Sequence, residues 1–109
     1  MAWLLREGEV LASAEVAETL GARARGLLGR NHLEGCLLIR PARSVHTLGM
    51  RFAIDVAFCD QNMAVVSMAS MRPWRLGLPR LRARCVIEAP AGAFERWRLR
   101  PGDVLELKQ

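Results

Sequence analysis

The chain of 109 residues has no apolar stretch long enough to cross a bilayer, no paired-cysteine spacing and a single lysine. A membrane span needs about 20 consecutive apolar residues. Here the apolar start of "MAWLLREGEV" stops at Arg6 and Glu7, short of a signal-peptide core as well. A soluble, cytoplasmic chain with no membrane partner is the expectation. Cys36, Cys59 and Cys85 stand far apart among apolar neighbours. Zinc sites favour pairs such as C-x-x-C, and disulfide frameworks favour even counts in secreted chains. The three are therefore expected as small buried hydrophobes, with no metal among them. No G-x-S-x-G elbow surrounds Ser44 or Thr47, and no glycine run matches a phosphate-cradling loop. No cofactor is expected. Repeats, linkers and low-complexity segments are also missing, so residues 1–109 read as one domain.

What is present is arginine. The formal net charge is +5, and the basic residues crowd into "RARGLLGR" (23–30) and "RPWRLGLPRLRAR" (72–84). Trp74 among arginines is the mixture of stacking surface and charge found in single-stranded nucleic-acid sites. Pro73, Gly77 and Pro79 mark the run as an irregular loop whose charges are solvated, and no nucleic-acid motif accompanies it. Nucleic acid is not the expected partner.

The remaining pattern is that of short strands. Val10, Ala12, Ala14 and Val16 alternate with polar or small residues at the period of two that marks a half-buried strand. Thr19 is placed to cap a short helix through Ala22, Ala24, Leu27 and Leu28, with Gly29 to end it. "CLLI" (36–39) is a buried strand stopped by Arg40 and Pro41. "AIDVAFCD" and "MAVVSMASM" flank "DQN" as a hairpin. "RCVIEA" is a further strand, "GAFERWRL" one or two helical turns, and "GDVLELK" a closing strand with Leu105 and Leu107 on one face. The fold class expected is mainly β with one or two short helices, an antiparallel sandwich or small barrel.

Three segments in order carry a resemblance: Arg25-Gly26-Leu27-Leu28; His46, Thr47, Met50, Asp55 and Phe58; and Glu88, Ala91 and Gly92, followed by Gly102-Asp103. With this pattern the chain resembles the domain of unknown function 192 family over nearly its whole length. The resemblance implies a compact, β-rich, jelly-roll-like fold and points to no particular activity.

The candidate cleft residues are Arg25, His46, Thr47, Asp55, Glu88 and Asp103. His46 lies in an apolar stretch with Ser44 two residues before it, hence on the same face of an extended segment. It is expected as a buried neutral imidazole. The functional alternatives are a general base oriented by Asp55 or Glu88, or a metal ligand together with Asp103. Asp55 and Glu88 interrupt apolar runs and need partners if buried. Arg25 is the expected one, its guanidinium pinning the helix to the sheet through a carboxylate. A non-enzymatic domain binding a small ligand or a protein partner, with a polar cleft around residues 44–60, is the leading functional expectation. A hydrolase- or transferase-like enzyme using His46 with Asp55, Glu88 or Asp103 is the alternative.

Overall fold

The computed structural model describes residues 2–109. Strand β1 (Ala2–Arg6) turns back into β2 (Glu9–Ala17) through Glu7 and Gly8. Both turn residues have positive φ, 51° and 79°, the two-residue geometry that matches the twist of an antiparallel pair. The short apolar start is thus a strand in its own right, with Ala2, Leu4 and Leu5 buried.

Helix α1 (Leu20–Arg25) begins as expected, with Thr19 Oγ1 accepting from the Ala22 N–H at 3.1 Å. It ends sooner than expected, at Gly26 rather than Gly29. The helix lies on the crossover to β3 (Cys36–Ile39), which pairs parallel to β2. A parallel neighbour needs a long connection of this kind, and it makes the sheet mixed rather than wholly antiparallel.

Strands β4 (Ile54–Cys59) and β5 (Val65–Met71) form the expected hairpin. Asp60 Oδ1 closes its turn by accepting from the Asn62 and Ala64 N–H groups at 2.9 and 3.0 Å. Strand β6 (Cys85–Pro90), helix α2 (Ala93–Trp97) and strand β7 (Leu105–Lys108) complete the chain.

All seven strands join one sheet in the order β5-β4-β6-β3-β2-β1-β7. The sheet curls into a half-barrel until its edges meet at one end. There the Val65 N–H donates to the Asp103 carbonyl (2.8 Å), Gly102 N–H to Val65 (2.7 Å) and Leu105 N–H to Met63 (2.9 Å).

Alternation along the strands divides the core in two. Leu4, Leu38, Ala57, Ile87, Phe94, Leu99 and Leu105 fill the enclosed side. Leu37, Ile39, Ile54, Val56, Phe58 and Val86 face outward and are covered by Leu27, Leu33, Val45 and Met50 from the connections. β3 and β4 are consequently buried along their whole length and β6 as far as Ala89, which explains their continuous apolar character.

The cysteines are free and buried. Burial pushes the Cys36 thiol up to about 12. Cys59 and Cys85 are cross-strand neighbours, and the hydrogen bond between them raises Cys59 and lowers Cys85. Burial is what limits reaction at all three. A thiol reagent should label all three only at the rate of unfolding; fast labelling of the native protein would mean that the barrel breathes open.

Candidate functional site

The outward core layer leaves a cleft of about 350 Å³ between the sheet, α1 and the segment that follows β3. Arg23, Arg25 and Leu27 line it from the helix side, Ile39 and residues 41–46 from the crossing segment, and Glu88 from the sheet. The volume is in the range of small-molecule sites.

Glu88 is the unusual member. Its place in β6 puts it opposite Leu37 of β3 and Val56 of β4, both buried and apolar. The side chain is 4% exposed, and its Oε1 has no hydrogen-bond partner. Burial alone pushes this carboxyl from its ordinary 4.5 to about 7, because desolvation disfavours the charged form and no cation compensates. Arg23 holds a group of the complementary kind. One terminal nitrogen donates to the Pro41 carbonyl at 3.0 Å, while its buried Nε–H has no acceptor. Two residues that line one cleft thus each hold a buried polar atom without a partner, a donor on Arg23 and an acceptor on Glu88.

The other sequence-derived candidates divide. Arg25 lines the cleft but is exposed and, among the described residues, forms no ion pair. The expected pin through Arg25 is not formed. Instead Arg23 ties the helix to Pro41, and Arg30 forks onto Glu15 at 2.7 and 2.9 Å. His46 is exposed rather than buried, because strand-like alternation buries Val45 and Thr47 and turns His46 outward. It lines the cleft together with Ser44, and its Nδ1 accepts from the Leu48 N–H at 3.3 Å.

Thr47 is fully buried and structural. Its hydroxyl donates to the Arg72 carbonyl (2.5 Å) and accepts from the Arg75 N–H (2.9 Å). Asp55 points the other way, into the enclosed side, where Oδ2 accepts from the Gly92 and Phe94 N–H groups at 3.0 and 3.1 Å and holds the start of α2. Asp103 pairs with Arg6 at 3.0 Å and accepts from the Arg100 N–H at the same distance. Of the pairings proposed for His46, only that with Glu88 shares the cleft. Among the described residues no three His, Cys, Asp or Glu side chains converge as a metal site would require.

Arg23 and Arg43 were not anticipated. A signal for Arg23 was available: it lies four residues before Leu27 and so shares its face on the expected helix, whereas Arg25 does not.

Fold and cleft together define a small β-rich domain, a curled sheet with a lateral, arginine-rimmed pocket. The chain belongs to the DUF192 family, described as Uncharacterized ACR, whose model matches residues 3–107. A UPF0127 protein of Pyrococcus horikoshii is 34% identical over 105 residues, 92% of this chain and 88% of the relative. The same fold occurs in a crystal structure of a protein of unknown function from Novosphingobium aromaticivorans. That match has a TM-score of 0.82 at 22% identity and covers 96% of this chain and 82% of the other. A Sinorhizobium meliloti chain, provisionally described as a transcription regulator, matches with a TM-score of 0.80 at 17% identity, covering 96% and 90%. At these identities the two structures share the fold alone.

Proposed function

We propose that the protein is a non-enzymatic binding domain whose cleft takes a small anion that also carries a hydrogen-bond donor. The carrying observation is that two residues lining the cleft each hold a buried polar atom without a partner, Oε1 on Glu88 and Nε on Arg23. Buried polar groups left without partners cost about 1–3 kcal/mol each, and a ligand that meets both removes that cost. Arg23, Arg25 and Arg43 stand against one carboxyl, so the balance of charge favours an anion. A hydroxyl or ammonium group on the same molecule would meet Glu88.

The enzymatic alternative has one observation in its favour. His46 lines the same cleft as a carboxyl that titrates near neutrality, a pairing suited to proton transfer.

Calorimetric titration with malate and with glycerol 3-phosphate separates the two readings. Either probe should bind and be recovered unchanged. Arg23→Gln and Glu88→Gln should each weaken binding by about tenfold or more, the loss expected for a charge-assisted contact. Arg25→Met should weaken binding yet leave the melting curve within about 0.5 kcal/mol of wild type, as for an exposed residue. Turnover of a probe that disappears in His46→Gln would establish the enzyme instead. Absence of binding by both probes would count against this ligand class.

A further inference from the structure

The loop between β5 and β6 presents a second surface, remote in chemistry from the cleft. Trp74, Leu76, Leu78 and Leu81 are 65%, 76%, 77% and 80% exposed. Apolar side chains so bare, crowded into one loop, are of the kind that marks a binding surface.

Looseness does not account for the exposure, because the loop is tied down along its length. Thr47 accepts from and donates to Arg72, Trp74 and Arg75, with backbone bonds of 2.8 Å to the last two. The Gly77 N–H donates to Val45 (2.9 Å) and the Arg80 N–H to Arg43 (2.8 Å). A methyl group on Gly77 would lie 2.6 Å from the Val45 carbonyl oxygen, so the backbone approaches as closely as glycine allows. The Arg80 guanidinium stacks over the Phe58 ring, 4.6 Å from its centre. Trp74 itself holds φ at 64°, a conformation that costs a bulky residue energy.

Interleaved with the apolar residues are Arg72, Arg75, Arg80, Arg82 and Arg84, with no acidic residue between positions 72 and 84. Among the described residues none of the five enters an ion pair. The charge calls for an anionic partner, and the leucines decide which kind. A nucleic-acid strand rewards aromatic platforms, and this loop has one aromatic ring beside three aliphatic chains. A bilayer interface rewards the combination: leucines enter the acyl boundary, tryptophan sits at the headgroup level, and arginine stems lie along the apolar layer with their heads at the phosphates.

We infer that the 72–84 loop docks the protein peripherally on an anionic lipid surface, through Trp74, Leu76, Leu78 and Leu81 with the surrounding arginines. Each arginine near such a surface adds electrostatic attraction that salt screens. The aliphatic insertion supplies the part of the binding that salt does not screen.

Co-sedimentation with phosphatidylcholine vesicles and with equimolar phosphatidylcholine–phosphatidylglycerol vesicles tests this. The protein should pellet with the anionic vesicles only, and its tryptophan emission should shift to the blue. Leu76→Ser with Leu78→Ser should lower partitioning by about tenfold or more, and Arg75→Gln with Arg82→Gln by about thirtyfold at low salt. Both double variants change exposed side chains, and unchanged melting curves would show that they fold. Absence from both pellets, or equal pelleting with neutral vesicles, would overturn the inference. So would a concentration-dependent dimer abolished by the leucine variant, which would give the loop to a second copy. Preferential capture by an oligothymidylate that excludes the vesicles would overturn it as well.

Discussion

Asp55→Ala should destabilise the protein by about 2–4 kcal/mol in urea denaturation, since it strands the buried Phe94 N–H, at about 1–3 kcal/mol, and the part-buried Gly92 N–H at less. The carboxylate at the centre of β4 accepts from Gly92 and Phe94 and so fixes the one helix that enters the curl of the sheet. Gly92 sits at the helix start with φ at 93° and supplies no capping side chain of its own, which leaves the task to a residue from another strand. Loss of that hold frees Phe94 and Leu99 from the enclosed core, where they are 4% and 5% exposed. Asp55→Asn keeps one acceptor oxygen and should lose less. Equal effects of the two substitutions, or a midpoint shift under about 0.5 kcal/mol, would mean that α2 is held by its apolar contacts alone.

Glu88 should make stability fall as pH rises. Its folded carboxyl titrates at about 7 against an ordinary 4.5, so between those values the native state binds more protons than the unfolded chain. The Glu88 contribution to stability is then greatest below about 4.5, declines as pH climbs through about 7, and levels off above it. At roughly 1.4 kcal/mol for each step of pH, the full decline is about 3 kcal/mol. Glu88→Gln removes the titration, so wild-type stability minus that of the variant should trace the curve while other groups cancel. Glu88→Leu should be more stable than wild type at pH 8, because it replaces a desolvated, unpartnered charge with an apolar side chain. A flat difference curve would show that water or a counter-ion reaches the carboxyl. A ligand that donates to Oε1 while bound should flatten it as well.

Local chemistry made much of this molecule legible in the sequence. Period-two alternation marked β2 and β7, the run Cys36–Ile39 marked a strand buried on both faces, and Asp60-Gln61-Asn62 marked the β4–β5 turn. Thr19 announced its helix because a cap is a contact between near neighbours. Partnerships across the sheet were not legible. Asp55, Glu88 and Asp103 looked alike as carboxylates beside apolar or turn residues, yet one caps a helix 37 residues away, one stands alone and one pairs with Arg6 across 97 positions. Strand order decides among those fates, and nothing in the flanking residues encodes it. His46 was misplaced for a related reason: its apolar neighbours face the core, and a segment of alternating burial hides every second residue only. β1 escaped notice because five residues are too few to display a period convincingly.

The pairing of β1 with β7 bears on how the chain is made. Trp3 lies opposite Lys108, so a strand that leaves the ribosome early keeps one side unpaired until a much later one emerges. β2 can zip onto it at once through the Glu7-Gly8 turn, but the outer edge stays open until β7 emerges. Pairings this distant are slow to form, since a long loop must be ordered before any contact rewards it. A ribosome-bound fragment ending before β7 would therefore offer a bare edge to its neighbours, and aggregation should compete with folding most strongly at that stage.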